Sequence, residues 1–131
     1  MAAHTLVNLN DVKDLAPDHR LDEIGEARFA AGALALEKTG LSLQRLKPGK
    51  RQAFGHTHSE QEEIYVVLEG SGRVKVEDEI IELAALDALR VGPGVTRAFE
   101  AGDDGLAFLA FGAPRTEGSS DTEMLPGWWE D

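Results

Sequence analysis

Gly55-His56-Thr57-His58-Ser59-Glu60-Gln61-Glu62-Glu63-Ile64-Tyr65-Val66-Val67-Leu68-Glu69-Gly70 holds two histidines one residue apart, a carboxylate five residues after the second, and an apolar run that ends on glycine. On an extended strand, residues i and i+2 point to the same face, so His56 and His58 aim two imidazoles at one point. Imidazole and carboxylate are ordinary ligands of a divalent transition metal, and two histidines with one carboxylate leave coordination positions open for substrate or oxygen. The step from His58 to Glu63 is odd, so an unbroken strand would turn Glu63 to the opposite face. Ser59-Glu60-Gln61 must therefore form a loop or bulge that resets the register. Glu60 and Glu62 are rivals for the third ligand, and periodicity alone does not choose among them. Beyond the loop, Ile64, Val66 and Leu68 share one face of a strand and Tyr65 and Val67 the other. A strand with two apolar faces is expected to be covered on both, by a second sheet or by a partner subunit.

Outward from this stretch, short strand-like segments alternate with glycine and proline. Leu41 to Leu46 reads as a strand stopped by Pro48-Gly49. Gln52 to His58 continues extended, and Gly70-Ser71-Gly72 is expected to turn the chain. Arg73 to Glu77 alternates as a half-exposed strand does, and Asp78-Glu79 is a tight turn into Ile80 to Leu83. Leu89 to Val91 precedes a Gly92-Pro93-Gly94 turn. Arg97 to Glu100 returns, Gly102-Asp103-Asp104-Gly105 is expected to turn again, and Leu106 to Phe111 is a last apolar strand. On the N-terminal side, Thr5 to Leu9 reads as a short strand, and Arg28 to Lys38 as strands despite alanines and leucines that suit a helix. Residues 113–131 read as loop, ending in Gly127-Trp128-Trp129, whose two indoles are expected to pack on the rest of the protein or on a partner subunit. Many short strands at close spacing indicate an antiparallel sandwich or barrel, an all-β fold.

The chain has 131 residues, enough for one domain with its own core. Its hydrophobic fraction of 42% and charged fraction of 28% are those of a soluble globular protein rather than a disordered one. The formal net charge of −11 opposes non-specific binding to nucleic acid or to anionic membrane, since both depend on basic patches. There is no cysteine, which excludes disulfides and thiolate metal sites and fits a cytoplasmic location. Met1 to Asn8 lacks the pattern of a signal peptide, and no apolar run approaches the roughly 20 residues of a membrane span.

The quoted segment resembles the first motif of the cupin superfamily, which runs as glycine, a short spacer, His-x-His, three or four residues, glutamate, six residues and glycine. His56, His58, Glu63 and Gly70 fit that spacing, and the leading glycine is Gly49, with one extra spacer residue. On this match Glu63 is the expected ligand. A His-x-His pair alone is ordinary strand surface; the whole string within an all-β pattern is much more specific. The second cupin motif has Gly, five residues, Pro-x-Gly, two residues, His, three residues and Asn. Here Gly94 fits, Leu86 replaces the first glycine, Gly92 the proline, Ala101 the asparagine, and Arg97 stands where the fourth metal ligand, a histidine, is expected. Arginine stays protonated and has no acceptor, so it does not ligate a metal. Two readings follow. Arg97 pairs with Glu63 and stands in for the missing cation, or three ligands hold the metal and Arg97 grips an anionic substrate beside it.

The resemblance covers roughly residues 40–112 and implies a jelly-roll barrel (double-stranded β-helix), with residues 1–39 completing it and 113–131 as a tail on the barrel or on a partner. A homodimer is expected from the two-sided apolar strand and the Trp-rich tail, and the resemblance to small cupins supports it. The function expected is small-molecule binding, with a metal-dependent dioxygenase- or isomerase-like enzyme as the first reading. Fe, Mn, Ni or Zn would be held by His56, His58 and Glu63, with Arg97 and Tyr65 as candidate contacts to a small anionic substrate. The alternative is a metal-free binding or sensing protein in which Arg97 replaces the ion. Cupins carry many activities, so the fold does not select one.

Overall fold

The computed structural model describes residues 3–113 and 121–130. Among these, eight strands form one curled antiparallel sheet: β1 (Gly25–Phe29), β2 (Gly40–Leu46), β3 (Phe54–His58), β4 (Glu63–Val76), β5 (Glu79–Ala84), β6 (Ala88–Val91), β7 (Arg97–Gly112) and β8 (Thr122–Pro126). The sheet runs β1-β2-β7-β3-β8, with β4 paired to β5, β6 and β7. The fold is the jelly-roll barrel of the all-β class.

Two long strands organise it. β7 pairs with β4 along nearly its whole length, from Val76↔Arg97 to Glu63↔Gly112, and its second half also pairs with β2. Alternation then sets the core. Tyr65 and Val67 of β4 point inward and are 2% exposed, while Ile64 and Leu68 on the other face are each 40% exposed. The strand is thus buried on one face within the single chain, and among the described residues no second sheet covers the outer face, next to half-exposed Phe111. Inside, Phe99 and Phe108 stack at 4.5 Å and Tyr65 lies against both, at 4.7 and 5.8 Å. Burying such rings contributes about 1.5–3 kcal/mol each, which makes this aromatic trio the centre of the barrel's stability.

Two of the turns expected from glycines are not turns. β4 runs straight through Gly70-Ser71-Gly72 and β7 through Gly102-Asp103-Asp104-Gly105, with register shifts between Val67 and Glu69 and between Gly70 and Gly72. The glycines are there because two backbones meet closely. A Cβ at Gly70 would lie 2.0 Å from the Gly105 carbonyl oxygen, and one at Gly72 would lie 2.2 Å from that of Glu100. Glycine at a bulge lets the paired strands bend and twist without breaking.

The N-terminal region also differs. Thr5 to Leu9 forms no strand; a 3-10 turn spans Leu9–Asp11, and the Asn8 side chain accepts from the Asn10 amide. That local bond competes with any ladder. Of the strands expected over Arg28 to Lys38, only Arg28 and Phe29 are extended, and Ala31–Leu34 makes a single helical turn, as its alanines and leucine favour. The turn before β5 falls at Glu77-Asp78, one residue earlier than expected.

The C-terminal segment is not all loop. β8 pairs with β3 over five residues, from Phe54↔Pro126 to His58↔Thr122. Beyond it Trp129 is buried beneath the Arg51 guanidinium, 4.3 Å from the ring centroid, and Trp128 fills the space a side chain at Gly55 would need. The loop expected over 114–120 lies outside the described residues. Among the described residues, no helix is long and apolar enough to cross a membrane.

Candidate metal centre

β3 delivers the two histidines. Its period-two alternation turns His56 and His58 to the barrel interior, with the ring centroids 5.3 Å apart. Residues 59–62 then reset the register, and a carboxylate from far along the chain holds that loop in shape. Asp121 Oδ2 accepts from the backbone N–H of Gln61 at 3.0 Å and of Glu60 at 3.3 Å. The reset makes Glu63, Tyr65 and Val67 the inward series of β4. Glu62 is left on the surface, paired with Arg90 at 3.1 Å, and Glu60 is exposed. Among the three rival glutamates, Glu63 is the one brought to the histidines.

Glu63 Oε1 lies 3.1 Å from His58 Nε2 and 3.6 Å from His56 Nε2. One ligand atom from each of the three residues falls within 4.8 Å of the others. Two ligands bound about 2.1 Å from one ion stand roughly 3–4 Å apart, so these donors match a single coordination sphere. The site's other side supports the match. His58 Nδ1 lies 3.1 Å from Asp121 Oδ1, whose side chain is fully buried, and 3.1 Å from Thr122 Oγ1. A carboxylate on Nδ1 fixes the imidazole so that Nε2 faces the site, the usual outer-shell arrangement of a ligating histidine. The donor set therefore fits a divalent ion.

Arg97 opens β7, opposite His56 on β3, and its side chain is wholly buried. It donates through Nε to the Tyr65 hydroxyl at 2.9 Å, through one terminal nitrogen to the Val95 carbonyl at 2.9 Å, and through the other to Glu63 Oε1. The Tyr65 hydroxyl itself donates to the same Glu63 oxygen at 2.6 Å. Arg97 is thus no surface residue. Nor does it reach into the open cavity as a substrate contact would: it sits behind Glu63 and neutralises it. Tyr65, 2% exposed, has its hydroxyl engaged with Glu63 and Arg97 rather than free for a ligand.

These contacts set the charges. Burial would raise the Glu63 carboxyl, but the neighbouring His56 and His58 imidazoles and the Tyr65 hydroxyl outweigh it and hold the group far below the usual carboxylate range. Burial and the hydrogen bond to Glu63 push the Tyr65 phenol well up, so it stays a donor. The histidines diverge. Burial, helped by the Arg97 charge, lowers His56 below its ordinary value. For His58 burial acts in the same direction, but Glu63 and Asp121 on its two nitrogens prevail and raise it.

The histidines, Glu63 and Tyr65 line a cavity of about 1290 Å³, with Phe54, Met124 and Phe29 among its apolar lining. Asp121 and Thr122 escaped the sequence reading, because a single Asp-Thr pair in an acidic tail carries no spacing that ties it to a histidine 63 residues earlier.

Residues 42–111, just over half of the chain, match the Cupin domain family. The chain belongs to the cupin family. Among solved structures this cupin is similar to a cupin protein from Bacteroides fragilis, at 26% identity and a TM-score of 0.72 over 92% of each chain. It is also similar to the oxalate decarboxylase of Bacillus subtilis, at 23% identity and a TM-score of 0.76 over 95% of this chain and 33% of that one. The oxalate decarboxylase of Lactobacillus farciminis, in a formate complex, gives 19% identity and a TM-score of 0.73 over 97% and 37%. The cupin spans about a third of the length of these decarboxylases, and at such identities the likeness is one of fold. No curated protein matches the chain.

Proposed function

We propose that this cupin binds a small anionic organic molecule at a divalent metal held by His56, His58 and Glu63, as a metal-dependent small-molecule enzyme. The observation that carries the reading is the convergence of three ligand atoms with His58 braced from behind by Asp121. Fe(II), Mn(II), Ni(II) or Zn(II) suits two imidazoles and a carboxylate, and when bound supplies Lewis acidity or oxygen activation at its open positions. The chain's own residues determine what is drawn there. In a two-histidine, one-carboxylate site the carboxylate offsets one of the ion's two charges. Here Arg97 already neutralises Glu63, so a bound ion keeps more of its positive charge toward the cavity. That favours an anion, and it also weakens hold on the metal, since a fixed positive charge lies nearby.

The same Arg97–Glu63 pair favours a second reading, in which the buried carboxylate needs no ion and the barrel is a metal-free binding or sensing site. Calorimetric titration with isocaproate, on Zn(II)-loaded and chelator-treated protein, separates the two. The first reading predicts binding at least about tenfold tighter with metal, or about 1.4 kcal/mol. Equal affinity in both states supports the metal-free site, and no binding in either removes the anion from the proposal.

A further inference from the structure

The cavity wall also holds a chain of side-chain hydrogen bonds whose direction is fixed at one end. The Phe99 backbone N–H can only donate, and it donates to Gln52 Oε1 at 3.0 Å. The Gln52 amide nitrogen is therefore a donor, and it bonds Gln44 Oε1 at 3.2 Å. The Gln44 amide nitrogen in turn donates to Ser42 Oγ at 3.1 Å. Ser42 has accepted a bond and keeps its own hydroxyl proton, for which no acceptor is found among the described residues. Each glutamine nitrogen also carries a second hydrogen that this chain does not use. Ser42, Gln44 and Gln52, which all line the cavity, thus keep spare O–H and N–H donors.

The place of these donors is set by strand register. Ser42 lies opposite Ala110, and Ala110 lies opposite Tyr65, so Ser42 and Tyr65 stand in one row across β2, β7 and β4. Two strand spacings separate them, roughly 10 Å along the sheet. The Tyr65 hydroxyl marks the Glu63 end of the row. Ser42 is only 5% exposed and lines the cavity, so its hydroxyl is largely shielded from bulk water. A ligand oxygen at that point can pair with this donor against little competition from bulk water.

We infer that Ser42, Gln44 and Gln52 form a second subsite, which binds an uncharged acceptor oxygen at the far end of the ligand. The molecule would be a carboxylate whose chain carries a carbonyl or amide oxygen several bonds away. A second carboxylate fits less well, because these donors are neutral and would not compensate its desolvation. The cavity, of about 1290 Å³, leaves room for such a chain. This inference rests on the proposed binding of an anion at the metal end.

The test uses a series of methyl-ketone carboxylates of increasing chain length, starting at levulinate. Each is paired with the branched carboxylate in which a methyl group replaces the ketone oxygen, starting at isocaproate. Affinities are measured by calorimetry on Zn(II)-loaded wild type, Ser42→Ala and Gln44→Met. At the length that spans the row, the ketone acid is expected to bind about tenfold more tightly than its methyl counterpart in wild type. Both variants should erase that preference while the branched acid's affinity stays within about twofold. No preference at any length, or equal weakening of both acids in the variants, overturns the subsite and leaves the metal end standing. If no acid of either kind binds, the anion reading itself falls, and the subsite with it.

Discussion

Replacing Arg97 by methionine is expected to lower the stability of the metal-free protein by about 3–5 kcal/mol, and added Zn(II) should restore much of the loss. The cost has a specific origin. Arg97 is wholly buried, and its guanidinium bonds Glu63, Tyr65 and Val95. Its removal leaves a buried carboxylate without its main counter-charge, and breaking a buried pair from one side typically costs that much. Methionine fills most of the arginine stem's volume, so the loss reports charge more than packing. The rescue has the opposite sign because the same substitution frees Glu63 Oε1 and removes a fixed positive charge beside the ion. Metal affinity should therefore rise although stability falls, and a ligand that binds only the folded state stabilises it by mass action. Urea denaturation with chelator and with Zn(II) reads both effects. A loss that Zn(II) leaves untouched would assign Arg97 to a metal-free site; no loss at all would contradict the buried pair.

Asp121→Asn is expected to reduce metal affinity 10–100-fold while the fold persists, the usual cost of removing an outer-shell partner from a ligating histidine. The asparagine keeps the shape and can still accept from Gln61, but no carboxylate remains on His58 Nδ1. A competition titration against a chromogenic chelator gives the affinity, and Thr122→Val serves as the milder comparison because Thr122 Oγ1 shares the same nitrogen. Acid sensitivity gives a second readout. Burial tends to raise the Asp121 carboxyl, yet His58 and the backbone N–H groups of Gln61 and Glu60 hold it down to about 2. A carboxyl lowered on folding stabilises the protein above its ordinary value near 3.8, and that contribution disappears as pH falls through about 2. The asparagine variant should lack this part of the acid transition. Unchanged metal affinity in Asp121→Asn would remove Asp121 from the site.

How much of this was legible in the sequence depends on where each signal sits. His-x-His before an apolar alternating run is local, and strand periodicity alone put both histidines on one face. The choice of Glu63 was not local, since it turned on the parity of a four-residue loop. That parity is fixed by Asp121 from the other end of the chain, through backbone bonds that no residue pattern announces. The strands themselves were visible as apolar alternation, but their lengths were not. Gly70-Gly72 and Gly102-Gly105 look like turns because glycine usually marks them; here the two segments lie against each other, and glycine permits backbone contact within continuous strands. β8 was hidden because Thr122 to Pro126 has little alternation and a proline, and it becomes a strand only where the edge of β3 offers it a ladder. Arg97 could be placed at the position of the missing histidine from spacing, but its burial behind Glu63 depended on register across three strands.

Elemental analysis of untagged protein beside His56→Ala tests whether His56, His58 and Glu63 hold a divalent ion. Wild type is expected to carry close to one equivalent of a transition metal per chain, as purified or after reconstitution with Fe(II), Mn(II), Ni(II) or Zn(II), and the variant little. Wild type that takes up no metal under any of these conditions, or a His56→Ala variant that keeps its full complement, would contradict it.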